Sequence, residues 1–182
     1  MTKAVLFLAT GFEDVEVASI IDTLSRGGVE VVIAGLQAGA IEGKYGIELV
    51  PDIAFDEIEL EKYDAVILPG GYPGYANLRA DRRVLDTVKR AFEMGIFVAA
   101  ICGAPSVLAK AGVLKGKKAT IYPGMEAELT GAKPSNERVV VDGTVVTSQG
   151  PGTALEFGVK LVEILVGDKK ARALKEELVA NF

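Results

Sequence analysis

Cys102 is the one cysteine in a chain of 182 residues that has no histidine. It sits in the stretch Ala99-Ala100-Ile101-Cys102-Gly103-Ala104-Pro105, after an apolar run and ahead of a helical pattern. A thiol in that setting is either an inert core residue, since free cysteine is among the most buried residue types, or a nucleophile on a sharp strand-to-helix turn. Such an elbow needs small residues two before and two after the nucleophile, and Ala100 and Ala104 stand there with Gly103 between. An elbow would present sulfur at a helix N-terminus, where the dipole and free N–H groups favour thiolate. The expectation is therefore a thiol pKa well below the ~8.5 of a free cysteine.

Two further stretches could complete a site. Gly70-Gly71 ends an apolar run; it is either a tight turn or a backbone N–H donor that a ligand oxygen can approach closely. Gly11-Phe12-Glu13-Asp14-Val15-Glu16 follows the first apolar run. Acids in the first turn of a helix are favoured by the dipole, and each alone reads as a solvated residue. Glu16 differs because it directly precedes the apolar face that starts at Val17, so it can turn inward. A carboxylate beside a thiolate raises the thiol pKa by like-charge repulsion. The pair works if Glu16 holds a proton and donates it to sulfur.

The elements that must position these groups alternate between strand and helix. Apolar runs suited to buried strands cover 3–9, 29–34, 65–68 and 97–101. Val17, Ile20, Ile21 and Leu24 repeat at helical spacing before Gly27-Gly28. Residues 37–50 are glycine-rich and read as a small β excursion. Asp81 is placed to cap a helix whose apolar face is Val84, Leu85, Val88, Ala91 and Phe92, and Pro105 suits a first helical turn. Residues 139–146 read as a hairpin with an Asp142-Gly143 turn. Thr153-Ala154-Leu155-Glu156 reads as a capping box ahead of two helices split near Gly167. This alternation predicts an α/β protein with a mostly parallel sheet covered on both faces, as one domain over residues 1–182. In such sheets ligands bind beyond the carboxyl ends of the strands. The three chemical stretches all fall there.

Composition excludes several classes. The net charge of −5 makes nucleic acid and anionic membranes poor partners, and Lys115-Gly116-Lys117-Lys118, the one basic cluster, reads as a solvated loop. No stretch has the ~18 apolar residues of a membrane helix. A single cysteine forms no internal disulfide, which suits a reducing cytoplasm.

On "GFEDVE", "DAVILPGG", "AAICGAP" and "VVTSQGPGTALEFG" the chain resembles the ThiJ/PfpI superfamily, closest to the branch of the Parkinson-disease-associated protein deglycase and its bacterial relatives. The resemblance implies a flavodoxin-like α/β/α sandwich, a homodimer and no cofactor or metal. It implies Cys102 as nucleophile, Glu16 as the carboxyl facing it, and Gly71 and Gly103 as backbone oxyanion donors. Tyr122 falls where several branches carry a histidine, Tyr45 where the eukaryotic branch has an arginine, and Arg26 where another family arginine lies near the dimer contact. Family activities range over glyoxalases and deglycases, oxidative-stress sensors, redox-regulated chaperones and intracellular proteases. With no histidine, a Cys–His pair cannot form, which weighs against a peptidase. The reading that follows is a cofactor-free enzyme acting on α-oxoaldehydes such as methylglyoxal, or on their glycated adducts. The alternatives are a redox sensor or chaperone using the same thiol, and a scaffold subunit with an inert one.

Overall fold

A computed structural model describes residues 2–182. Seven strands form the central sheet. In chain order they are β1 (Lys3–Leu8), β2 (Glu30–Gly35), β5 (Ile53–Ala54), β6 (Ala65–Leu68), β7 (Phe97–Ile101), β10 (Val139–Asp142) and β11 (Val145–Ser148). Between them lie two short pairs. One is β3 (Ile41–Glu42) with β4 (Glu48–Leu49); the other is β8 (Lys118–Ala119) with β9 (Lys133–Pro134). Across the sheet the order is β10-β11-β7-β6-β1-β2-β5, and every pairing is parallel except that of β10 with β11. The helices are α1 (Asp14–Arg26), α2 (Gly74–Ala80), α3 (Arg82–Glu93), α4 (Pro105–Lys110), α5 (Ala154–Leu165) and α6 (Asp168–Glu177). The result is a flavodoxin-like α/β/α sandwich.

β1 shows why this sheet needs covering on both sides. Val5 and Phe7 enter one core, with Phe55, Val88 and Leu108; Ala4, Leu6 and Leu8 enter the other, with Ile20, Phe157 and Leu161. A strand buried on both faces is an unbroken apolar run, and only helices on either side can keep it dry. Phe7 and Phe55 meet edge to face at 4.9 Å. On the other face α1 packs on α5 through small residues. A Cβ on Gly158 would stand 2.8 Å from the Thr23 side chain, and one on Gly27 would stand 2.3 Å from Val162.

Local expectations hold in part. Asp81 caps α3 by accepting the Arg83 N–H at 2.8 Å. The β excursion is the β3–β4 hairpin, and α5 and α6 are divided at Gly167. The capping box at Thr153 does not form. The Thr153 hydroxyl instead bonds Gly150 and Ser148, while Glu156 pairs with Arg138 at 2.6 Å. The final hairpin turns one residue later than expected. Asp142 remains paired with Val145, so the loop is Gly143-Thr144, with Gly143 at φ +64. Asp142 is held in the strand end because its carboxylate accepts from Lys118 N–H and Lys117. Helix α2 was not foreseen from the sequence.

The chain leaves β1 for β2 on one side and returns through β6 and β7 on the other. β1 with its neighbours is therefore the switch point of the sheet, where a crevice opens beyond the strand ends. The segments after β1, β6 and β7 meet there.

Candidate active site

Cys102 has φ +62, a conformation disfavoured for a residue with a Cβ. It is held from both sides: its N–H donates to the Ser148 carbonyl at 3.0 Å, and its carbonyl accepts the Tyr122 N–H at 2.9 Å. Ala100 and Ala104 are fully buried, as the elbow requires. A Cβ on Gly70 would lie 2.4 Å from Cys102 Cβ and 2.8 Å from Glu16 Oε2, so glycine lets the β6 end pass between the two groups. A Cβ on Gly103 would strike the Tyr75 ring at 2.5 Å. Strain of this kind persists where the surroundings over-determine it, and it concentrates at functional sites.

Glu16 lies in the first turn of α1 and is fully buried. Its Oε2 accepts the Gly70 N–H at 2.8 Å; its Oε1 has no hydrogen-bond partner among the described residues. Burial pushes the carboxyl up to about 7, against the pull of Gly70 N–H and of Cys102. Burial first, and the Glu16 charge second, push the Cys102 thiol up to about 12; the N–H groups of Gly71 and Gly103 oppose this. Burial and the neighbouring carboxyl thus oppose the lowering that the elbow predicts. The helix that follows offers little against this: α4 has only six residues and starts at Pro105, which has no N–H, three positions beyond the sulfur. Its dipole cannot outweigh burial and a neighbouring carboxylate.

The two groups titrate as a pair that resists carrying two charges. Taken separately, the two pKa values would leave the last shared proton on sulfur. The hydrogen bonds favour the opposite tautomer. Charge on sulfur meets the N–H groups of Gly71 and Gly103 and a proton donated by Glu16, whereas a charge on Glu16 is met only by the Gly70 N–H and the Cys102 thiol.

This pairing carries a stability signature. A group whose folded pKa is raised stabilises the fold fully below its unfolded value and loses that contribution as pH rises through the folded one. For Glu16 the window runs from 4.5 to about 7. Across it the wild-type chain should lose ~3 kcal/mol of unfolding free energy that Glu16→Gln does not lose. Urea unfolding at a series of pH values measures the difference, and parallel curves for the two proteins would show that Glu16 is not buried as a neutral acid.

Other residues of the first helical turn are buried rather than solvated. Asp14 accepts the Tyr45 and Ile47 N–H groups at 3.0 and 2.9 Å, clasping the β3–β4 hairpin to α1. Glu13, also buried, faces Lys44 with 3.8 Å between Oε2 and Nζ. Both carboxylates are drawn inward because that hairpin folds over the start of α1, and nothing in the local spacing signals it. Tyr122 is brought to the site through its backbone, with its ring over Gly150. Tyr45 is 72% exposed on the hairpin, with Lys44 5.1 Å over its ring. Arg26 is not brought to the site. It lies at the far end of α1 from Glu16, paired with Asp22 at 2.8 Å and Glu177 at 2.5 Å. Sequence reasoning missed Gly70 as the donor to Glu16, although the glycine doublet marks it, and Tyr75 as the wall against Gly103. Among the described residues no three His, Cys, Asp or Glu side chains group as a metal would need.

Gly71 and Gly103 place two N–H groups at the sulfur, neither with a backbone acceptor among the described residues. A nucleophile, two free donors and a raised carboxyl at one point can add a thiolate to a carbonyl, stabilise the oxyanion and move a proton.

Comparison with known proteins agrees with this arrangement. Residues 2–164 match the DJ-1/PfpI family. Protein dj-1beta of Drosophila melanogaster is 37% identical over 99% of this chain and 98% of its own length. The crystal structure of Drosophila melanogaster DJ-1beta covers the whole chain and 99% of its own with a TM-score of 0.95 at 36% identity. The deglycase PfpI of Pyrococcus furiosus is 37% identical over 88% of this chain and 98% of its own. The chain spans only 39% of DJ-1 homolog B of Arabidopsis thaliana, at 37% identity over 93% of the chain. The strained cysteine between two glycine donors and a buried glutamate thus sits in a chain that belongs to the DJ-1/PfpI family.

Proposed function

We propose that the chain is a cofactor-free deglycase-type enzyme that converts α-oxoaldehydes, methylglyoxal among them, to 2-hydroxy acids. The observation that carries this reading is the buried Glu16 carboxyl coupled to Cys102, with its Oε1 unpartnered. The name deglycase on relatives of about this similarity, such as the Pyrococcus furiosus protein, supports it.

The thiolate of Cys102 adds to the aldehyde carbon, and the carbonyl π pair moves to oxygen. The N–H groups of Gly71 and Gly103 hold that oxyanion, and Glu16 protonates it to a hemithioacetal. The Glu16 carboxylate then removes the hydrogen on the former aldehyde carbon as a proton, giving an enediolate, and returns it to the adjacent carbon, while the hemithioacetal hydroxyl proton passes to the former ketone oxygen. The former aldehyde carbon is now a thioester and the former ketone a carbinol. Water cleaves the thioester, releasing the hydroxy acid and the thiol. The oxidation of one carbon matches the reduction of its neighbour, so no outside oxidant enters. No amine leaves, so the missing histidine is no obstacle. A peptidase would need a proton donor for the amine, and none of the usual imidazole type exists in this chain.

The same site supports a second reading, oxidation of Cys102 as a stress signal. The thiol is only partly buried, and a protonated Glu16 can donate to a sulfinate as it does to a thiolate. We place the enzyme first because relatives of about this similarity carry the name deglycase. A working unit of two chains in a cytoplasm fits the family and the single reduced cysteine.

Lactate formed from methylglyoxal by the purified chain tests the reading. Cys102→Ser should abolish it, since an alkoxide is not available near neutral pH. Lactate formed by the serine variant at the wild-type rate would reject the mechanism, and a wild type that makes none while sulfinate accumulates under mild peroxide would favour the sensor.

A further inference from the structure

Val145-Val146-Thr147-Ser148-Gln149-Gly150 carries part of the family resemblance, yet the reaction above uses none of its side chains. β11 runs beside the strand that delivers the cysteine, with Thr147 opposite Ala100 and Ser148 opposite Ile101. The Ser148 carbonyl accepts the Cys102 N–H at 3.0 Å. Thr147 is fully buried, and its Oγ1 accepts the Thr120 N–H at 2.9 Å. Two residues on from Thr120, the Tyr122 N–H donates to the Cys102 carbonyl at 2.9 Å. That carbonyl and the Gly103 N–H belong to one peptide unit. A trans peptide is planar, so its C=O and N–H point in opposite directions, and turning one turns the other. The Gly103 N–H is one of the two donors at the sulfur. Its aim is therefore set by where the Tyr122 N–H stands.

We propose that Thr147 is a positioning residue: its hydroxyl oxygen holds the 120–122 segment and so aims the Gly103 N–H at the Cys102 sulfur and at the oxyanion of its adduct. The part that concerns the oxyanion rests on the α-oxoaldehyde reading above; the part that concerns the sulfur stands without it. Other tethers of the same segment act further from Tyr122. Asp142 accepts the Lys118 N–H at 2.8 Å, and the Ala119 carbonyl accepts the Ser135 N–H at 2.8 Å. Without the Thr147 oxygen, the Thr120 N–H is left buried with no partner, which is costly, and the segment shifts to relieve it. Thr120 supplies an internal comparison. Its own Oγ1 is buried and has no hydrogen-bond partner among the described residues, so that hydroxyl holds nothing in place.

Alkylation of Cys102 by iodoacetamide, followed against pH on the intact protein, reads this aim without turnover. The titratable group that faces the sulfur is Glu16 of α1, with Glu13 and Lys44 acting on its carboxyl, and none of the substitutions touches them. Thr147→Val keeps the size of the side chain and loses the acceptor. A thiolate with a poorer donor forms at higher pH. The alkylation profile should therefore move up, and the rate near neutral pH should fall roughly three- to tenfold, part of what a hydrogen bond to a charged group contributes. Thr147→Ser, which retains the oxygen, should keep the wild-type profile, and so should Thr120→Val. Lactate formation from methylglyoxal should fall about tenfold in Thr147→Val alone, less than the ~10²–10³-fold that loss of a whole oxyanion donor costs. Should Thr147→Val fail to fold, Thr147→Ala removes the same acceptor with no bulk against Thr120 and is read in the same way. A less stable Thr147→Val with an unmoved alkylation profile would overturn the proposal, and so would an equal shift in Thr120→Val or in Thr147→Ser. A wild type that forms no lactate, while the profile still moves only when the Thr147 oxygen is lost, would overturn the α-oxoaldehyde reading and leave the positioning role in place.

Discussion

Glu16→Gln lowers lactate formation from methylglyoxal by roughly 10²–10⁴-fold, the range for loss of a general acid–base group. The amide keeps the shape and can accept the Gly70 N–H that Oε2 accepts now at 2.8 Å. Its NH₂ can still donate to the sulfur. What it cannot do is take the proton from the hemithioacetal carbon. The variant separates binding from proton transfer for a second reason. The Glu16 charge is the second cause, after burial, of the raised thiol pKa. Removing it brings the thiol below about 12, so addition to the aldehyde should survive while turnover fails. Alkylation by iodoacetamide followed against pH shows the same uncoupling: a step near the carboxyl value of about 7 in the wild type is absent from the variant. Glu16→Asp keeps an acid one methylene further back and should retain part of the activity. Glu13→Gln should cost little, because Glu13 faces Lys44 at 3.8 Å. An active Glu16→Gln beside a dead Glu13→Gln would move the proton shuttle to the other carboxylate.

Gly70→Ala is expected to silence the enzyme without touching any side chain that reacts. The new methyl would lie 2.4 Å from Cys102 Cβ, 2.8 Å from Glu16 Oε2 and 3.0 Å from the Ile101 carbonyl. None of the three can give way cheaply. Cys102 is pinned at both its N–H and its carbonyl, and Glu16 is fully buried. The nucleophile and the acid are therefore forced apart, and a displacement of about 1 Å costs roughly 10²-fold in rate. Overpacking should also remove ~1–3 kcal/mol of stability. Lactate assay together with urea unfolding distinguishes the two effects. A folded Gly70→Ala protein with wild-type turnover would mean that the Glu16–Cys102 spacing is not what limits the reaction.

Residue types and order alone determined the alternating strands and helices, the elbow at Cys102 and the inward turn of Glu16. Each rests on short-range physics. Strands buried on two faces must be continuous apolar runs, an elbow needs small flanking residues, and a carboxylate next to an apolar helix face turns inward. Local rules failed where a distant partner outbid a near one. Thr153 turned to Ser148 and Gly150 instead of capping its helix. Asp14 and Glu13 were buried by a hairpin folded from some thirty residues away, and Arg26 was held by Glu177 on the last helix. The protonation of the site was likewise decided by the tertiary structure. The elbow alone argues for a lowered thiol pKa. Burial of sulfur and carboxyl together in one crevice opposes that lowering and ties the titration of the thiol to that of Glu16. Desolvation and like-charge coupling depend on which groups meet in space, and spacing along the chain does not carry that information.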